Sequence, residues 1–198
     1  MTRAARILQG AVAVLVVMGV GALAYVAYAV VDAQAYQTRA RARLVVEASL
    51  PMPVARVRQE GDPLGEIYSA RIGLHAVIAE GESAAVLRRA VGHVTGTRLP
   101  GEVGNVVLAA HRDTFFRPLR NIRVGDIITV TDGGGAVHYE VEWTAVVPPD
   151  ALSVLDPTED RTLTLITCHP FSLVGEAPDR FVVRARARTA AAQMAGDI

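Results

Sequence analysis

The sequence predicts an all-β domain, a barrel or a sandwich, standing behind a single N-terminal membrane-spanning helix. An uncharged, mostly apolar run extends from Ile7 to Val31, and beyond Pro63 the pattern changes to short β-rich runs separated by Gly, Pro and Asp turns. The chain has 198 residues, room for one domain of roughly 100 to 150 residues beside the anchor but not for two. Hydrophobic residues make up 51%, a composition that excludes disorder and collagen. Twenty basic residues, all of them Arg, cancel 20 acidic ones, so no electrostatic footprint for nucleic acid is present and no such partner is expected.

The anchor comes first. As a helix the Ile7 to Val31 run reaches about 37 Å, more than the roughly 30 Å hydrocarbon core of a bilayer. Arg3 and Arg6 precede it, a positive flank that keeps the N-terminus in the cytoplasm and sends the rest out. Arg39, Arg41 and Arg43 beyond the span work against that rule, and the small residues at 27–29 or 33–35 offer a cleavage site for an export signal. An uncleaved anchor over residues 1–31 is the preferred reading, because the run is about twice a signal-peptide apolar core of roughly 7 to 15 residues. Residues 32–63, Arg-rich and then carrying Pro51, Pro53 and Pro63, read as a short helical continuation followed by an extended tether that lifts the domain off the bilayer.

Strands are expected at Glu66 to Ile72, Val106 to Ala110, Asp126 to Thr131, Val137 to Val147, Leu163 to Cys168 and Phe181 to Ala187. One helix is expected over Ala84 to Ala90, with Ser83 as N-cap and Gly92 as stop. Asp132 to Gly135 reads as a hairpin turn. The domain spans 64–189, with 190–198 left as a tail. Val106 to Ala110 is continuously apolar and so buried on both faces, and it ends abruptly at His111, Arg112 and Asp113. Polar chemistry is thereby placed at a strand mouth. Leu163 to Cys168 alternates and is stopped by Pro170, which puts Cys168 at a strand end. If the strand starting near Arg180 is its antiparallel neighbour, Cys168 and Arg180 meet at one edge.

Cys168 is the only cysteine, so no intramolecular disulfide or multi-cysteine metal site exists. It is either an inert buried thiol or a nucleophile. A nucleophilic thiol needs an imidazole or other cation beside it and a donor for the oxyanion, and His111 and Arg180 are the candidates on the same rim. His169 points to the opposite strand face from Cys168. His75, His93 and His138 read as ordinary histidines, no pair of histidines has metal-ligand spacing, and Glu80, Glu82, Glu140 and Glu142 read as solvated carboxylates. Arg184, Arg186 and Arg188 read as one solvated face of the last strand.

The segments LTLITCHPF, APDRFVV and GTRLPGEVGNVVLAAHRDTFFRPL together resemble the sortase family, closest to class D sortases and related Gram-negative forms. The resemblance runs from about Gly65 to Arg188. It implies an eight-stranded β-barrel with one or two short helices, and a cysteine transpeptidase that cleaves a C-terminal LPxTG-like sorting signal and joins the new carboxyl end to an amine. Carried onto this chain, Cys168 is the nucleophile, His111 the proton donor and acceptor, and Arg180 the oxyanion and substrate clamp. The implied partners are surface proteins or pilins bearing sorting signals and an amine acceptor, either a peptidoglycan precursor or a pilin Lys. No cofactor is implied, and a calcium requirement is left open. Ala110 stands where Gly often precedes the His, and His169 where Tyr is common. The alternatives are an L,D-transpeptidase-like enzyme, which should hold its His and Cys together in a Gly-rich segment, and a non-catalytic membrane-anchored assembly module.

Overall fold

The computed structural model describes residues 3–49, 58–132, 135–172 and 175–188. Eight strands close into a barrel: β1 (Pro63–Ser69), β2 (Leu74–Glu80), β3 (Val91–His93), β4 (Asn105–Ala109), β5 (Ile127–Thr131), β6 (Ala136–Val147), β7 (Thr162–His169) and β8 (Asp179–Ala187). Around the barrel the order is β1-β2-β3-β4-β7-β8-β6-β5. A long helix, α1 (Arg3–Ala48), precedes it, and a single helical turn, α2 (Ala84–Leu87), lies between β2 and β3. The barrel interior is filled by alternate residues of the strands, among them Ile67, Ile78, Leu108, Ile128, Tyr139, Leu163, Leu165 and Val183, with Phe116 and Leu119 plugging one end. Each aliphatic side chain so buried contributes roughly 1.5 to 3 kcal/mol. Burial pushes the Tyr139 phenol up to about 12.

All six expected strands are present, with ends that differ from expectation by no more than three residues. The segment Glu66 to Ile72 stops early, at Ser69, where a 3-10 turn takes over. β2 and β3 were not expected. Along β2 the residues Ala76, Val77, Ile78 and Ala79 are all 0% exposed, because one face joins the barrel core and α1 and α2 cover the other. Burial on both faces erases the alternation by which a strand is read. β3 has three residues, too few for a pattern. Ser83 does cap α2, accepting from the Val86 amide at 3.4 Å, but the helix ends at Leu87 and Gly92 lies inside β3. A Cβ at Gly92 would stand 2.5 Å from the Gly81 carbonyl oxygen, so a side chain is excluded there.

Residues 32–48 form the expected helical continuation of the apolar run, but they dock on the barrel instead of standing free of it. Gln37 is buried; its Nε2 donates to the Arg89 carbonyl at 2.7 Å, and its Oε1 accepts from the Val77 amide at 2.9 Å. Tyr36 donates to the Gly61 carbonyl at 2.8 Å, and burial pushes its phenol up to about 12. Arg41 pairs with Glu66 at 2.6 Å, Arg43 with Asp62 at 3.1 Å and Arg89 with Asp32 at 2.6 Å. Exposed ion pairs contribute about 0 to 1 kcal/mol each, so the buried Gln37 bonds and the packing of Ala40 dominate the dock. Residues 50–57 of the expected tether, 133–134 of the expected hairpin turn and the 190–198 tail lie outside the described residues. Ile7 to Val31 is almost wholly exposed, and α1 is long and apolar enough there to be a candidate membrane span.

Candidate active site

β7 lies between β4 and β8. On one side it runs antiparallel to β8 with Cys168 directly opposite Arg180. Directly opposed residues of an antiparallel pair share a face of the sheet. On the other side β7 runs parallel to β4, the pairing ending at Ala109 and Ile166. His111 stands two residues past Ala109 and Cys168 two past Ile166, so the two strands deliver them to the same level. Two further bonds carry the register beyond the ladder: the Ala110 amide donates to the Ile166 carbonyl at 3.3 Å, and the Thr167 hydroxyl donates to the Ala110 carbonyl at 2.7 Å. The structure thus brings the three expected site residues to one rim, with the thiol in the middle.

The thiol faces outward. Leu163 and Leu165 enter the core, so Thr164, Ile166 and Cys168 take the outer face. That face is nonetheless covered near its start, where Val107, Thr164 and Val182 are fully buried. Asn105 Nδ2 donates to the Val154 and Asp156 carbonyls at 3.1 and 3.0 Å, and Thr164 donates to Asn105 Oδ1 at 2.6 Å. The β6–β7 connection is thereby pinned over the floor, and the cover opens toward Cys168, which is free and half-buried.

Arg180 is half-buried, and its Nη1 donates to the Asp179 and Ala177 carbonyls at 3.0 and 3.3 Å. Among the described residues its Nε and Nη2 have no partner, which leaves donors for another group. His111 opens a compact turn in which its carbonyl accepts from the Phe116 amide at 3.2 Å, and its ring has no partner among the described residues. Arg112, which the sequence places at that strand mouth without assigning it a role, ties that turn to the β7–β8 connection by donating from Nη2 to the Gly175 carbonyl at 2.6 Å. Its only signal was a charge directly after a fully apolar strand.

The other histidines are accounted for. His169 takes the opposite face from Cys168 and stacks on Phe181 at 6.4 Å between ring centres. His93 is buried between Glu80 and the Arg98 carbonyl, at 3.2 and 2.9 Å. His75 contacts Glu66 at 3.2 Å and His138 contacts Thr129 at 2.9 Å. The expectation of one solvated arginine face on β8 needs correction at Arg184. That side chain lies over the Trp143 ring at 5.5 Å and donates to the Val154 carbonyl at 3.1 Å, and burial pulls its pKa down. Arg186, by contrast, is exposed and pairs with Glu142 and Asp160 at 2.8 and 2.9 Å.

A family model described as "Sortase domain" matches residues 67–188, the barrel from within β1 to just past β8. The chain belongs to the sortase family. Sortase D of Bacillus subtilis is 35% identical to it over 126 residues, 63% of this chain and 64% of that protein. The chain therefore matches less than two thirds of that relative's length. Among solved structures, a Clostridium perfringens sortase D5 transpeptidase superposes with a TM-score of 0.71 at 27% identity, covering 78% of this chain and 99% of that one. Sortase C1 of GBS pilus island 1 gives a TM-score of 0.61 at 28% identity, covering 80% and 84%.

Proposed function

We propose that this sortase is a membrane-anchored cysteine transpeptidase with its barrel outside the cytoplasm, cleaving a C-terminal LPxTG-like sorting signal through a thioester on Cys168. The supporting observation is the register itself: Cys168 opposite Arg180 on one side and level with His111 on the other. The Cys168 thiolate attacks the scissile carbonyl carbon, forming a C–S bond while the charge moves to the carbonyl oxygen. The guanidinium of Arg180 stabilises that oxyanion with a charge that persists at any working pH. The C–N bond then breaks, and His111 gives its proton to the leaving amine. An acceptor amine attacks the thioester, passes a proton to His111 and releases the thiolate. The acceptor belongs to a peptidoglycan precursor when the substrate is a surface protein, or is a pilin Lys when pilins are polymerised.

Hydrolysis and amine transfer share one intermediate in this scheme. Full-length protein in detergent, given a fluorogenic sorting-signal peptide and rising amine, should convert hydrolysis product into ligation product while total peptide turnover stays linked to Cys168. Peptide turnover persisting in Cys168→Ala would remove the thiol from the mechanism.

A further inference from the structure

Strand directions decide which rim of the barrel carries the thiol. β2 ends at Glu80 and leads straight into α2, so α2 sits on the Glu80 rim. β3 runs parallel to β2, β4 antiparallel to β3 and β7 parallel to β4. The ends of β4 and β7, and with them His111 and Cys168, therefore lie on the opposite rim. The turn at Val124 belongs to the Cys168 rim as well. Ser69, the partner of Leu74 at the start of β2, donates to the carbonyl of Ile127 at the start of β5 at 2.8 Å.

α1 meets the Glu80 rim first. Asp32, the first charged residue after the apolar run, accepts from Arg89 at 2.6 Å, and Tyr36 packs on Ala79, Val86 and Ala90. Further out Arg41 reaches Glu66, which His75 also contacts, so moving along α1 away from the apolar run is moving along β2 from Ala79 toward His75. An apolar helix of about 37 Å overshoots a hydrocarbon core of roughly 30 Å, and the surplus places Asp32 a few ångströms outside it, within a headgroup layer roughly 5 to 7 Å deep per leaflet. Whatever touches Asp32 shares that depth. There the α2 segment exposes Ser83, Ala84, Ala85 and Arg88, and a cleft of ≈ 280 Å³ lined in part by Tyr36, Ala85 and Arg89 opens beside it. The Arg88 guanidinium has no partner among the described residues.

We propose that the α1 dock seats the α2 rim in the phospholipid headgroup layer, with Arg88 against lipid phosphate, and holds the Cys168 rim facing away from the bilayer. A guanidinium matches phosphate oxygens in a bidentate fork. A strand the length of β7, tilted as barrel strands are, puts the nucleophile roughly 20 Å above the headgroups. Substrate is then taken at a fixed standoff and not at the lipid surface. This placement rests on reading α1 as a membrane span.

Nitroxide labels read depth directly. In full-length protein with Cys168→Ala, single labels at Val17, Ala85 and Val124 are compared in phosphatidylglycerol/phosphatidylcholine proteoliposomes by their accessibility to oxygen and to a water-soluble nickel complex. The expected result is Val17 deep in hydrocarbon, Ala85 at headgroup depth and Val124 as accessible as a label in water. Replacing the dock residues with Tyr36→Phe and Gln37→Ala should move the Ala85 label out toward water while Val17 stays deep. Equal accessibility of Ala85 and Val124 with Val17 deep overturns the orientation and leaves the span standing. A water-accessible Val17 overturns the span and the orientation together. An Ala85 depth unchanged by loosening the dock shows that α1 does not hold the barrel.

Discussion

The hydroxyl of Thr167 donates to the carbonyl of Ala110 at 2.7 Å, which bonds the residue before the thiol to the residue before the imidazole. Both partners are nearly inaccessible to solvent, so the bond sets the spacing of Cys168 and His111 from within the barrel wall. Thr167→Val keeps the shape and removes the donor, leaving a buried carbonyl unsatisfied at a cost of about 1 to 3 kcal/mol. Denaturant melts should show that loss, and kcat for peptide cleavage should fall while KM stays near its wild-type value. Thr167→Ser should restore most of kcat. An unchanged kcat in Thr167→Val would mean that the β4 and β7 backbones alone fix the spacing.

Arg180 faces the thiol across a register pair with two of its nitrogens unengaged among the described residues. Arg180→Ala should cost about a hundred- to a thousandfold in turnover, the usual consequence of losing one oxyanion donor. Arg180→Lys should recover only part, since an ammonium lacks the guanidinium fork. Steady-state kinetics with circular dichroism as a folding control checks both.

Gly92 has a packing role that substitution should expose. Its missing Cβ would sit 2.5 Å from the Gly81 carbonyl oxygen and 2.8 Å from Leu87 Cδ2. Gly92→Ala forces α2 away from β3, and overpacking of this kind costs about 1 to 3 kcal/mol. Urea unfolding should show a lower midpoint at an unchanged slope.

Asp126 supplies a pH dependence. Hydrogen bonding from Arg71 holds its carboxyl below the usual carboxylate range, and the Arg123 amide, at 2.6 Å, works in the same direction. A carboxyl depressed in the folded state adds stability that is fully present above the unfolded pKa of about 4 and is lost as pH falls through the folded value. Wild-type protein should lose stability progressively below about pH 4. Asp126→Asn should be less stable at pH 7 and show a flatter profile in that acid range. Parallel melting curves from pH 7 down to pH 2 would reveal a common slope if Asp126 carried no such term.

The parts of the fold that were legible in the sequence are those whose two faces meet different surroundings or whose ends meet water. β7 alternates and stops at Pro170, and β4 is apolar until it breaks at His111, so both strand mouths were readable. Their adjacency was an inference about neighbouring strands, and the Cys168 and Arg180 pair bears it out. β2 was hidden because α1 and α2 bury its outer face, and that burial depends on a dock no local pattern announces. Gln37 looks like an ordinary polar residue on a helix until the Val77 amide and the Arg89 carbonyl claim its side chain. Arg184 misled for the converse reason: its alternation with Arg186 and Arg188 is that of a solvated face, yet the β6–β7 connection folds over it.

The most direct test of the thioester reading is the mass of the protein itself. Full-length protein in detergent is mixed with a sorting-signal peptide panel, quenched in acid within the first turnover and analysed intact and after proteolysis. The account predicts an adduct equal to the peptide's acyl portion on the fragment carrying Cys168, discharged by hydroxylamine and absent from Cys168→Ala. An adduct on any other residue, or turnover of peptide with Cys168 never modified, would contradict it.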